Sequence, residues 1–419
     1  MTIMKLPPNL LSFTSSPATT LFRQQIEPQN LSFSHDSSDS SSSIMSSSSS
    51  STTQFNKLGK KWMEYQGLSD WDSLLDPLDD NLRSEILRYG NFVEAAYKSF
   101  NSEPSSSPSY AATEACSFPK NKLSDCCGYK VTKHLHATSG IELPRWVEKA
   151  PSWVAPRSSN IGYIAVCDNE QELKRLGRRD VVIAYRGTKT CLEWLENLRS
   201  NLTHVIPPKY QNKDHGTMVQ SGFLSLYTSA ACDSLSLQQM VREEIHRILE
   251  TYSGEALSFT LTGHSLGAAL AILTAYDIKT AFGLKDQTPM VTVISFGGPR
   301  VGNWRFRQEV EKQGTKVLRI VNSDDLVTKV PGFVFEGDDD VADGRGTHVA
   351  SWVKKRLEDA QWTYAEVGME LRLCSRDSPY LRRTNAATCH DLNTYLHLID
   401  GFVSSTCPFK ATAKRFLRR

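Results

Sequence analysis

The sequence has no run of about 18 apolar residues, so no membrane-spanning helix is read in it. It has little net charge. Its 48 Lys and Arg stand against 46 Asp and Glu, leaving +2, and there is no bulk electrostatic case for binding nucleic acid. No glycine-rich dinucleotide fingerprint, internal repeat or heptad series is present, which argues against a nucleotide-binding, solenoid or coiled-coil protein. The nine cysteines, Cys126 and Cys127 among them, are odd in number and contain no pair of C-x-x-C units. That excludes a regular disulfide framework or zinc module and favours a reducing compartment. The first 55 residues are poor in acid and in arginine and lack a secretory apolar core.

What is there falls into three parts. Residues 1–55 contain SSDSSSSIMSSSSSSTT, which cannot bury enough apolar area to offset its ordering entropy and is expected to be disordered. A Ser-rich, acid-poor start matches an organelle transit peptide, and scarce arginine favours the chloroplast over the mitochondrion. The alternative is a plain unstructured tail. Residues 56–409 carry the ordered domain, and 410–419 form a basic tail suited to anionic lipid or to solubility.

Within the domain, Leu78 to Phe100 has Leu82, Ile86, Leu87, Tyr89, Phe92, Val93 and Ala96 at helical spacing, a helix in need of a partner surface. Residues 116–156 give no secure element. From residue 161 strands and helices alternate. IGYIAVC and DVVIAYRG read as strands with KRLGRR as the turn between them, and SLSLQQMVREEIHRILETY is an amphipathic helix. LSFTLTG, MVTVISFGG and VLRIVNS are further strands. LGAALAILTAYDIKTAF and NWRFRQEVEKQ are helices, and HVASWVKKRL starts another. The rhythm predicts a mostly parallel sheet with helices on both faces.

The segment SFTLTGHSLGAALAILTAYDI joins one of these strands to one of these helices through GHSLG. Gly263 and Gly267 let the backbone make a tight strand-to-helix turn, the G-x-S-x-G elbow that presents Ser265 at its tip. The Leu266 amide, at the helix N-terminus, faces a developing oxyanion, and a second donor is expected from YRGTKT, where Thr188 offers its amide and hydroxyl. A serine hydroxyl needs a base, and in this chain order an acid and then a histidine follow. Asp324 and Asp325, at the end of the strand VLRIVNS, are both candidates for the acid, whereas GDDDVAD at 337–343 reads as a solvated loop. For the base, His348 reads as a cap or packing residue. His390 and His397 are seven residues apart, on similar sides if the segment is one helix, and both remain candidates.

Taken together, WMEYQG, WDSLLDPLDDNLRSEILRYGNFVEAAY, IGYIAV, VVIAYRGT, CLEWLENL, GHSLGAALAILTAYDI, SFGGPRVGNWRF, VLRIVNSDDLVTKVPG and CHDLNTYLHLIDGF resemble the plant class I phospholipase A1 group. These are plastid acylhydrolases within the fungal-type lipases of the α/β-hydrolase fold, and the resemblance covers residues 60–405. It implies Ser265 as nucleophile, Asp325 rather than Asp324 as acid, His390 as base, and Thr188 with Leu266 as oxyanion donors. Thr328 stands where the family usually has proline. The resemblance also places a short lid at TCLEWLENLRSNLT, with Leu192, Trp194, Leu195 and Leu198 over the cleft. The activity implied is cleavage of the sn-1 acyl ester of phosphatidylcholine or plastid galactolipids, with no cofactor and no metal. The partners implied are membrane or lipid-droplet surface lipids in the stroma, on thylakoids or on plastoglobules. A plastid triacylglycerol lipase and a non-catalytic lipid-binding or signalling module are the alternatives on the same fold.

Overall fold

The computed structural model describes residues 57–101, 128–138, 158–187, 202–205, 216–230, 234–283, 289–329, 364–381 and 385–410. The chain divides into Met1–Thr53 and Gln54–Arg419, and every described residue belongs to the second unit. The expected transit peptide, the predicted helix at HVASWVKKRL and residues 411–419 lie outside the described residues.

Nine strands are described: β1 (Tyr129–Thr138), β2 (Ser158–Cys167), β3 (Arg179–Tyr185), β4 (Leu202–His204), β5 (Met218–Gln220), β6 (Leu257–His264), β7 (Met290–Phe296), β8 (Lys316–Asn322) and β9 (Met369–Leu373). Seven form one sheet in the order β1-β2-β3-β6-β7-β8-β9, and β4 pairs with β5 separately. From β3 to β9 neighbouring strands run parallel, while β2 is antiparallel to β1 and β3. The helices are α1 (Trp62–Tyr65), α2 (Asp80–Asn101), α3 (Glu170–Leu176), α4 (Ser221–Thr228), α5 (Leu237–Thr251), α6 (Leu266–Phe282), α7 (Trp304–Lys312), α8 (Ala386–His390) and α9 (Leu392–Gly401).

The period of two along each strand divides the core into two layers. Val181, Ile183 and Tyr185 of β3 pack with Phe259 and Leu261 of β6 against α4, α5, α6 and α7. Val182 and Ala184 face the other way, with Tyr89, Phe92 and Val93 of α2 and Leu398 and Ile399 of α9. Both faces are covered, so α6 is buried along nearly its whole length and β6 and β7 are buried throughout.

Two sequence expectations are corrected here. KRLGRR is not a simple turn: Glu170–Leu176 is helical, capped by the Asn169 side chain on the Gln171 and Glu172 amides and closed by left-handed Gly177 at φ 74°. Two turns of helix are too short for an apolar period to show. CHDLNTYLHLIDGF is not one helix either, because extended Asp391 ends α8 and caps α9 through the Asn393 and Thr394 amides. The strands β1 and β9 are edge strands whose mixed polar sequences give no clean alternation.

Candidate active site

β6 ends at His264 and α6 begins at Leu266, so Ser265 alone turns the chain from sheet to helix. Its backbone lies at φ 58°, ψ −124°, a region that costs an L-residue strain and persists only when its surroundings force it. The surroundings do so by close approach. A Cβ on Gly263 would stand 2.3 Å from the Gly267 carbonyl, and one on Gly267 would stand 2.6 Å from the carbonyl oxygens of Tyr185 and Arg186. The Ser265 amide donates to Phe296 O at 3.0 Å, which ties the tip to the end of β7. Leu266 is the first residue of α6, where an amide has no acceptor within its own helix and the helix dipole favours negative charge.

The exit of β3 runs beside this elbow. A Cβ on Gly187 would be 3.1 Å from Ser265 Cβ and 3.0 Å from His264 O. Thr188 follows directly, but Thr188 and the four lid residues Leu192, Trp194, Leu195 and Leu198 lie outside the described residues, as do His348 and the acidic run 337–343.

The two aspartates after β8 are separated by their partners. Asp325 Oδ2 accepts from His390 Nδ1 at 2.7 Å and from the Tyr395 hydroxyl at 2.7 Å, and its Oδ1 accepts from the Val327 amide at 2.9 Å. Asp324 instead pairs with Arg376 at 3.0 Å and accepts from the Cys374 thiol. The Thr328 hydroxyl donates to Asp325 O at 2.9 Å, closing the turn by a hydrogen bond where a proline would stiffen it covalently. The two histidines separate as cleanly. His390 is buried against Asp325, whereas His397 bonds Ser378 Oγ at 2.8 Å and packs on Tyr380 and Phe409.

Three further side chains carry this arrangement and were not singled out in the sequence. Tyr395 donates to Asp325 and accepts from the Asn322 amide at 3.2 Å; burial and the Asp325 charge hold its hydroxyl protonated. His264 lies between Tyr97 of α2 and the His390 segment, its ring centroid 4.8 Å from that of His390. Burial, then the neighbouring His390 charge, pushes the His264 pKa down to about 3, so the ring is neutral and carries one proton. Its Nε2 lies 2.7 Å from the His390 carbonyl, which can only accept; the proton is therefore on Nε2. Nδ1 must then accept from the Tyr97 hydroxyl at 2.8 Å, and that hydroxyl accepts from the Gly187 amide at 2.9 Å. A sequence signal for His264 existed: Ser258, Thr260, Thr262 and His264 alternate with Phe259 and Leu261, marking one polar face of β6.

Among the described residues no group of three or more His, Cys, Asp or Glu is placed to hold a metal ion, and no helix is long and apolar enough to cross a membrane. Residues 182–335 match the class 3 lipase family. The chain is 61% identical over 373 residues to the chloroplastic phospholipase A(1) DAD1 of Arabidopsis thaliana, an overlap of 87% of this chain and 81% of that protein. The chain belongs to the plant phospholipase A1 group of the class 3 lipases. It is also 39% identical to the chloroplastic galactolipase DONGLE of Arabidopsis thaliana, over 82% of this chain and 70% of that one. Among solved structures, the Lip2 lipase of Yarrowia lipolytica aligns with 71% of this chain and 80% of its own at 17% identity and a TM-score of 0.42. The mostly parallel sheet and the strand-to-helix elbow after β6 are features of the α/β-hydrolase fold.

Proposed function

We propose that the chain is a serine acylhydrolase that cleaves the sn-1 acyl ester of polar glycerolipids, phosphatidylcholine or plastid galactolipid, in the chloroplast. The reading is carried by one observation, the Asp325–His390 pair at 2.7 Å beside the strained Ser265 elbow. Its lipid class and compartment are supported by relatives named chloroplastic phospholipase A(1) and chloroplastic galactolipase. In this scheme residues 1–55 act as a transit peptide, 56–409 as the lipase domain and 410–419 as a basic tail.

His390, oriented by Asp325, takes the Ser265 proton as Oγ attacks the acyl carbonyl. The tetrahedral oxyanion is met by the amides of Leu266 and Thr188. His390 then protonates the departing lysolipid alcohol, and a water activated by the same imidazole clears the acyl-enzyme. Every step is supplied by side chains and amides of this chain. Leu192, Trp194, Leu195 and Leu198 act in this reading as an apolar lid that turns toward lipid when it opens.

The test incubates purified protein with mixed thylakoid lipids and triacylglycerol, alongside labelling by a fluorophosphonate probe. Fatty acid released from position 1 of a polar lipid, with both release and labelling lost in Ser265→Ala, is the expected result. Release from triacylglycerol alone would move the substrate to neutral lipid. Folded wild-type protein that neither labels nor hydrolyses would leave a lipid-binding module instead. Import of a reporter fused to residues 1–55 into isolated chloroplasts tests the address.

A further inference from the structure

Three chain segments must keep fixed positions for the esterase site: the exit of β3, the elbow after β6 and the α8 segment that carries His390. None is a sequence neighbour of another. Each is bonded to one short polar chain. The Gly187 amide donates to Tyr97 Oη, Tyr97 Oη–H donates to His264 Nδ1, and His264 Nε2–H donates to the His390 carbonyl. The donor order is determined at every link, because the carbonyl has no proton to give and the neutral imidazole has only one.

We propose that Tyr97 and His264 are positioning residues of the esterase site, which hold the β3 exit at Gly187, the Ser265 elbow and the His390 backbone in one fixed relation. The proposal rests on the acylhydrolase reading above and deepens it. Tyr97 is well placed to transmit position, because the helix that bears it is anchored elsewhere. Arg83 of α2 bonds the Ile399 and Phe402 carbonyls, and Tyr89 of α2 donates to Asp180 at 3.0 Å. The approach of Tyr97 to the β3 exit also requires glycine there, since a Cβ at 187 would stand 2.5 Å from its hydroxyl. His264 in turn is directed toward α2 by strand parity, as the last of the polar face of β6, and is one residue from the nucleophile.

A satisfied core network and a positioning device differ in what they control. Loss of the first lowers stability alone; loss of the second lowers turnover in protein that remains folded. The experiment compares wild type, Tyr97→Phe, His264→Leu, His264→Gln and the Tyr97→Phe/His264→Leu double variant on a soluble short-chain ester, with circular dichroism to count folded protein. Tyr97→Phe keeps the ring and removes only the hydroxyl, and is expected to lower kcat about tenfold with KM within about twofold. His264→Leu should lower kcat at least as far. His264→Gln, which restores a donor to the His390 carbonyl, should recover part of it. The double variant should be no slower than His264→Leu alone, because both substitutions break the same chain. A Tyr97→Phe kcat per folded molecule within about twofold of wild type would overturn the proposal, as would losses that multiply in the double variant. Wild-type protein without Ser265-dependent turnover would instead overturn the acylhydrolase reading, and the proposal with it.

Discussion

Asp324 and Asp325 are chain neighbours with opposite surroundings, and the difference sets their expected effects. Asp325 is buried and shared between His390 and Tyr395, while Asp324 faces Arg376 and Cys374. Asp325→Asn should lower kcat by at least about a thousandfold, since an amide cannot both orient His390 and stabilise its imidazolium, whereas Asp324→Asn should stay within about threefold of wild type. Ester hydrolysis by the two purified variants checks the contrast, and equal losses would contradict it. His264 supplies a prediction of another kind. Its pKa falls from 6.5 to about 3 on folding, chiefly by burial, so the unfolded chain holds more protons between those values. Stability contributed by the neutral ring is therefore fully present above pH 6.5 and is lost as pH falls toward 3. Unfolding free energies from urea denaturation between pH 6 and 4 should fall more steeply for wild type than for His264→Gln, by up to about 1.4 kcal/mol per pH unit. Parallel slopes would show that His264 titrates normally in the folded protein.

The helix α2 shows what a pattern of residues reveals about an element and what it leaves out. The apolar spacing from Leu82 to Ala96 predicts the helix and its need for a partner, and α2 spans Asp80–Asn101 with that stripe against the sheet. The same stripe contains Arg88, buried and paired with Glu85 and Asp180, and nothing local in the chain connects residue 88 to residue 180. Only the fold brings them together, and with them Arg178, Tyr89, Tyr129, Ser258 and Thr260, all bonded or ion-paired with Asp180. Burial pushes the Asp180 carboxyl up, but Arg178 and Arg88 with the Tyr129 and Thr260 hydroxyls outweigh it and bring the pKa down to about 2. Removing one member of such a network leaves buried charge uncompensated, so Asp180→Asn should destabilise the protein by about 3 kcal/mol or more in urea denaturation at neutral pH. Because the folded pKa is depressed, this contribution is present above pH 3.8 and fades as pH falls to about 2. A variant as stable as wild type at pH 7 would show that the arginines find other partners.

At the scale of the whole molecule, the alternation of strands and helices after residue 161 and the elbow at Ser265 were legible because each is written in contiguous residues with a period or a tight turn. The dependence of the site on the N-terminal helix was not, because it is written in single contacts: Arg83 on the carbonyls of Ile399 and Phe402, Tyr89 on Asp180, and Tyr97 on Gly187 and His264. The family match begins at residue 182, after α2 has ended, so likeness to class 3 lipases does not say whether their core can stand without it. The packing does. Leu82, Ile86, Tyr89, Phe92 and Val93 are buried in one cluster with β3, β7 and α9. At about 2 kcal/mol each, losing them removes about 10 kcal/mol, comparable with the whole stability of a typical domain, and uncovers the Asp180 network as well. A chain of residues 102–419 should therefore lack a cooperative thermal transition and bind hydrophobic dye, while residues 54–419 unfold cooperatively. Cooperative unfolding and ester turnover by 102–419 would show that the sheet and α3 to α9 suffice, and that α2 is an accessory rather than the second layer of the fold.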